Sequence, residues 1–264
     1  MVSSYAEFMD KVREVHPLVH HITNYVTVND CANICICSGG APVMTDEAKD
    51  VRGMVPIASA VVINMGTLNE RTVKSMLIAG KIAKEKGIPV IFDAVGAGAT
   101  GYRNEVAKDI IKTVKPDVIK GNDGEISFLS GIEGGVRGVD ATSTSGDMGS
   151  LVKDLAQRHG CVVVSTGKID HVSDGDVVYE LSNGTDLESA VSGTGCMLSS
   201  VLGSYAGANG VSAEAMVAGI TAFNIAAEKS AADAKGPGSF KVGLFDNLFN
   251  LRNEDLKEAK VKQL

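Results

Sequence analysis

The sequence predicts an α/β fold: a mostly parallel sheet covered by helices on both faces, with an antiparallel hairpin towards one edge. Three observations lead there. Short β-branched runs alternate with segments of helical period along most of the 264 residues. The connections between them are short. Late in the chain, Asp174-Gly175 separates His171-Val172-Ser173 from Asp176-Val177-Val178-Tyr179, which is a strong hairpin signal. No repeat, low-complexity segment or linker divides the chain, so residues 1–264 read as one domain with a substantial core.

Taken in order, Leu18-Val19-His20-His21-Ile22 reads as the first strand. Neighbouring strand residues face opposite sides, so His20 and His21 cannot easily share a metal, and structural hydrogen bonding is expected. Cys31-x3-Cys35-x-Cys37 resembles a metal or cluster spacing. On a helix, however, Cys31 and Cys35 share a face while Cys37 points away, as buried packing residues would. Val61-Val62-Ile63-Asn64 is a strand, and Asn69 can cap the helix that follows, with Gly87 ending it. Ile88-Pro89-Val90-Ile91-Phe92 is a strand ending at Asp93, and a helix through Val106, Ile110, Ile111 and Val114 stops at Lys115-Pro116. The strand Asp117-Val118-Ile119-Lys120 runs into Gly121-Asn122. Leu151, Val152 and Leu155 mark a helix, and Cys161-Val162-Val163-Val164 a strand ending at Ser165-Thr166-Gly167. Beyond Gly195 the chain reads as mainly helical, with Ala213 to Ala234 the longest candidate.

Composition narrows the function classes. The formal charge of −7, with no lysine or arginine block, argues against a nucleic-acid surface. No apolar run approaches the roughly 18 residues of a membrane span, and the N-terminus lacks a signal-like apolar core, so a cytoplasmic protein without a membrane partner is expected. Five cysteines, an odd number, read as reduced thiols. Near the C-terminus, Lys257, Lys260 and Lys262 alternate with Glu254, Asp255 and Glu258, which reads as a solvated helix face.

Ligands of parallel sheets bind beyond the carboxyl ends of the strands. That rule gathers Asn64, Asp93, Lys120, Asn122 and Thr166 into one candidate site. Val191-Ser192-Gly193-Thr194-Gly195-Cys196-Met197-Leu198 adds a small-residue entry into a helix. Such an entry leaves bare N–H groups at the positive end of the helix dipole, an anion site, or else merely lets a helix pack tightly. Cys196 stands on its first turn. Gly96-Ala97-Gly98-Ala99-Thr100-Gly101 matches G-x-G-x-x-G after a strand, but Asp93 would face a pyrophosphate and the acidic residue of a dinucleotide site is missing. No P-loop is present. Asn122-Asp123-Gly124-Glu125 fits a capping box, and Glu125 with Asp93 could also position Mg²⁺ through waters; the two readings can coexist.

Together these segments resemble the hydroxyethylthiazole kinase family of the ribokinase-like superfamily. The matching blocks are His21-Ile22-Thr23-Asn24, Gly40-Ala41-Pro42-Val43-Met44, Asp93 to Thr100, Lys120-Gly121-Asn122 with Glu125, Ser165-Thr166-Gly167-Lys168, Ser192 to Leu198, and Gly236-Pro237-Gly238-Ser239-Phe240. The resemblance implies a ribokinase-like three-layer αβα sandwich and transfer of the ATP γ-phosphoryl to the alcohol of hydroxyethylthiazole in thiamine salvage. It implies that Lys120, Thr166 and Asn122 contact ATP, and that Asp93 and Glu125 support Mg²⁺. Met44, Gly193, Asn24 and Gly66 would line the substrate site, with Gly193, Thr194, Gly195 and Cys196 at the phosphoryl group in flight. The family's homotrimer, with pockets between subunits, is expected too. Lys120 stands where the family often has arginine, Ala94 where proline is common, and Asp123-Gly124 where small residues precede the glutamate. Superfamily relatives place an aspartate base at the position of Cys196. A helix N-terminus lowers a thiol from its usual pKa of about 8.5, so a thiolate could accept the alcohol's proton. Alternatively, the sulfur only packs against the thiazole.

Overall fold

The computed structural model describes residues 2–134 and 148–264. Six parallel strands form most of the sheet: β1 (Leu18–Ile22), β2 (Ala41–Met44), β3 (Ala60–Asn64), β4 (Val90–Asp93), β5 (Val118–Asn122) and β6 (Val162–Thr166). β7 (Asp170–Ser173), β8 (Val178–Leu181) and β9 (Val261–Gln263) add an antiparallel flank. Across the sheet the order is β2-β1-β3-β4-β5-β6-β7-β8-β9.

The strands are apolar on both sides because both faces are covered. Val62, Ile91, Val118, Val162 and Val164 pack beneath α1 (Val2–Val15), α2 (Val28–Ser38), α8 (Thr194–Asn209), α9 (Ala213–Asp233) and α10 (Pro237–Phe249). The alternate residues Val61, Ile63, Val90, Phe92, Ile119 and Val163 pack against the other layer. That layer holds α3 (Ala48–Met54), α4 (Glu70–Lys86), α5 (Gly101–Val114), α6 (Asp123–Gly134) and α7 (Met148–His159). Three layers result, as the sequence predicted.

Local chemistry sets the ends of these elements. Asn69 accepts from the Thr72 N–H in a reciprocal capping box, and Gly87, at φ +68°, closes α4 in the left-handed region. At the β7–β8 turn, Asp174 Oδ1 accepts from the N–H groups of Asp176 and Val177, at 3.0 and 3.1 Å. The charged C-terminal stretch departs from expectation. It is no helix face: a short 3₁₀ turn, Asp255–Glu258, leads into β9, which completes the edge beside β8. Lys260, just before this strand, and Lys262 within it place their ammonium groups 3.0 Å from Glu228 and 3.7 Å from Glu180. No helix of the described residues is long and apolar enough to cross a membrane.

Candidate active site

The parallel strands deliver their last residues to one line. Asn64 pairs in register with Asp93, Asp93 with Lys120, and Asn122 with Thr166. The first turn of α8 closes over this line. Gly193 sits at φ +89° as its N-cap, and no side chain caps the helix. The first helical hydrogen bond runs from Met197 N to Gly193 O, so the N–H groups of Thr194, Gly195 and Cys196 precede the ladder. A Cβ on Gly193 would collide with the Thr27 methyl, which explains glycine there twice over. The Thr194 hydroxyl turns back to donate to Glu188 O at 3.0 Å, leaving the backbone to face the site.

Beneath that turn lies a buried polar network. Asp93 is fully buried, and its Oδ2 accepts from Asn64 Nδ2 and the Ser199 hydroxyl, both at 2.7 Å. Its Oδ1 faces Lys120 Nζ at 3.4 Å, and Lys120 also donates to Gly195 O at 3.0 Å. Burial works against the Lys120 charge, but Asp93, Cys196 and Glu125 outweigh it and hold the ammonium above its usual range. Lys120 is therefore a buried cation held directly beneath the first turn of α8.

Cys196 Sγ accepts from Asn24 Nδ2 at 3.3 Å and Asn64 Nδ2 at 3.2 Å. The two carboxamides are locked in that sense. Asn24 Oδ1 already accepts from the Thr27 backbone and hydroxyl, at 3.1 and 3.0 Å, and Asn64 Oδ1 from Asn24 and Gly66 N, at 3.0 and 2.9 Å. The expected lowering of the thiol is not what the site produces. Burial first, and then the Asp93 charge, push Cys196 above its ordinary value, against the opposing pull of Lys120, Asn64 and Thr27.

Asn122 and Glu125 do form the capping box: Asn122 N donates to Glu125 Oε2 at 2.8 Å, and Glu125 N to Asn122 Oδ1 at 2.9 Å. The other Glu125 oxygen, Oε1, accepts from Gly96 N at 2.7 Å. Burial raises this carboxyl despite the two N–H donors. Among the described residues no trio of His, Cys, Asp or Glu converges as a metal cage. Asp93 Oδ2 carries two donors, whereas its Oδ1 and each Glu125 oxygen carry one. A carboxylate oxygen with one donor keeps a second lone pair, so Asp93 Oδ1 and Glu125 both fit a hydrated Mg²⁺ approached through water.

Thr166 is half-buried at the end of β6, its hydroxyl 3.4 Å from Gly121 O, and Asn122 is exposed beside it. Met44 ends β2 and lines a cleft of about 520 Å³ with His21, Thr23, Tyr25 and Thr67. Gly66 borders that cleft in the chain, and a Cβ there would stand 2.8 Å from Asn24. Asn24 itself is buried with its carboxamide engaged by protein partners, so it supports the site from beneath. His20 and His21 both hold hydrogen bonds within the fold, as expected. His20 Nε2 meets the Thr45 hydroxyl and His21 Nε2 the Ser200 hydroxyl, both at 3.1 Å, and burial holds both rings at about 4. Cys31 and Cys35 are buried and Cys37 partly so, and all five cysteines are free thiols.

Two contributors had no signal strong enough to read in the sequence: Ser199 and Thr27. Ser199 lies three residues after Cys196, one helical step along the same face, which is the only hint of its role.

A profile of the hydroxyethylthiazole kinase family matches residues 9–254. The chain belongs to that family. The hydroxyethylthiazole kinase of Methanocorpusculum labreanum is 46% identical over 263 residues, covering 99% of both chains. That of Alkaliphilus oremlandii is 46% identical, covering 97% of this chain and 96% of its own. A solved structure of the hydroxyethylthiazole kinase protein from Pyrococcus horikoshii superposes with a TM-score of 0.92 at 38% identity, over 99% of each chain. A pyridoxal kinase from Staphylococcus aureus, solved with AMP-PCP and pyridoxal, shares the fold at a TM-score of 0.64 and 16% identity, over 94% of this chain and 98% of its own. The ribokinase-like architecture is common to all of them.

Proposed function

We propose that the protein transfers the γ-phosphoryl group of ATP, with Mg²⁺, to the primary alcohol of hydroxyethylthiazole in thiamine salvage. The observation that carries the reading is the uncapped first turn of α8, which carries Cys196, standing over Lys120 at the ends of the parallel strands. Phosphoryl transfer needs positioning and neutralisation of charge more than covalent help. The N–H groups of Thr194, Gly195 and Cys196 receive the equatorial oxygens of the moving phosphoryl, and Lys120 supplies a cation that needs no reorganisation. Thr166 and Asn122, at the outer end of the line, take the nucleotide. Glu125 and Asp93 would hold the water shell of an Mg²⁺ ion, which would supply positive charge against the polyphosphate.

The alcohol enters from the cleft beside Met44 and Gly66 and meets the sulfur of Cys196. The transition state is loose, so the alcohol keeps its proton until late. A thiol ionised only part of the time is then a sufficient base. Tyr25, exposed on the rim of this cleft, supports a homotrimer in which the pocket lies between subunits. Five free thiols accord with the cytoplasm. The test is ADP release: it should require hydroxyethylthiazole and Mg²⁺ together, and release that is indifferent to the alcohol contradicts the reading.

A further inference from the structure

Arg103 stands in the first turn of α5, where the helix dipole disfavours a cation. Three carbonyl oxygens offset that placement. Nη1 donates to Met65 O and Val95 O, and Nη2 to Gly66 O, each at 2.7 Å. The planar fork thus spans two turns, the one after β3 and the one after β4.

The peptide joining Val95 to Gly96 is gripped at both ends. Its carbonyl faces the Arg103 guanidinium, and its N–H donates to Glu125 Oε1 at 2.7 Å. A peptide is positive at N–H and negative at oxygen, so each charged side chain holds the end that suits it. Glycine is required at the joint. Gly96 adopts φ +75°, and a Cβ there would stand 3.0 Å from Arg103 Nη1. This accounts for the first glycine of the G-x-G-x-x-G run without any dinucleotide. Because Glu125 Oε2 also accepts from Asn122 N, the contacts run unbroken from Asn122 through Glu125, Val95–Gly96 and Arg103 to Met65–Gly66.

We propose that Arg103 is a positioning residue that, through the Val95–Gly96 peptide and Glu125, sets the acceptor-side turn at Gly66 against the nucleotide-side turn at Asn122. The role rests on the kinase reading above. Transfer rates depend steeply on the separation and alignment of the reacting atoms, so loosening this strap slows turnover more than it weakens binding.

The experiment compares Arg103→Ala, Arg103→Lys and Arg103→Gln in the full chain. In the alanine variant, amide exchange at Gly96 and Asn122 should accelerate by about tenfold or more while Phe92 and Ile119, inside the strands, stay protected. Its kcat should fall on the order of 10²-fold with KM for ATP little changed. Guanidinium ion below denaturing concentration should restore turnover, and urea should not. Lysine, a point charge that cannot span three carbonyls, should recover little of it. Glutamine covers the case in which alanine does not fold. Unchanged exchange at Gly96, or a lower melting temperature with wild-type kcat and KM, overturns the proposal. If the wild-type chain phosphorylates no alcohol, the kinase reading fails, and amide exchange still decides whether the strap exists.

Discussion

Cys196 concentrates opposing influences on a single sulfur atom. Two carboxamide donors and the Lys120 charge favour the thiolate, whereas burial and Asp93 favour the thiol and prevail. A thiol raised in this way ionises more fully as pH rises. Turnover by the wild-type chain should therefore climb through the alkaline range. Cys196→Ala should lose at least about tenfold and flatten the profile, because general-base effects commonly amount to 10²–10⁴. Cys196→Asp should keep or exceed wild-type turnover near neutral pH, its carboxylate being ionised there already. An alanine variant with wild-type rate and pH profile would show that the sulfur only shapes the pocket. The position of this residue was legible in the sequence, since a cysteine one turn into a glycine-led helix must face the site. Its ionisation was not. The helix end suggested a lowered pKa, but the buried Asp93 that reverses the balance arrives from 103 residues away in the chain.

The entry to α6 shows how one side chain serves both structure and site. Glu125 caps its own helix through Asn122 and ties down Gly96 with its second oxygen. Glutamine has a single acceptor oxygen, so Glu125→Gln must leave one of those N–H groups facing an NH₂. The expected cost is about 1–3 kcal/mol of stability, seen as a shifted denaturation midpoint, together with a higher Mg²⁺ requirement. Wild-type stability would mean that the two N–H contacts contribute nothing. Elements with a clear period or cap, such as α4 between Asn69 and Gly87, could be read directly because their signals are local. β9 could not. Its three residues become a strand only because β8 offers an edge, and alternating charges looked like a helix face without that partner. Arg103 escaped for a related reason: its three carbonyl partners belong to turns on either side of β4, which local pattern does not bring together.

Across the whole molecule, function follows from strand direction. Six parallel strands place their carboxyl ends along one edge of the sheet, and the chain ends four consecutive strands, β3 to β6, with Asn64, Asp93, Asn122 and Thr166, Lys120 lying in register with Asp93. The antiparallel flank stands beyond β6, at the far end of this line. α8 then lays its bare N-terminus across it, with the cleft at Met44, the proposed acceptor side, at the β2 end and Thr166, the proposed nucleotide side, at the β6 end. The central claim is that this arrangement passes a phosphoryl group to one kind of alcohol. The most direct measurement offers γ-labelled ATP with hydroxyethylthiazole, pyridoxal, hydroxymethylpyrimidine or ribose and follows the label into each product. Hydroxyethylthiazole should take it with the highest kcat/KM by a wide margin; preferential labelling of any other alcohol would contradict the assignment.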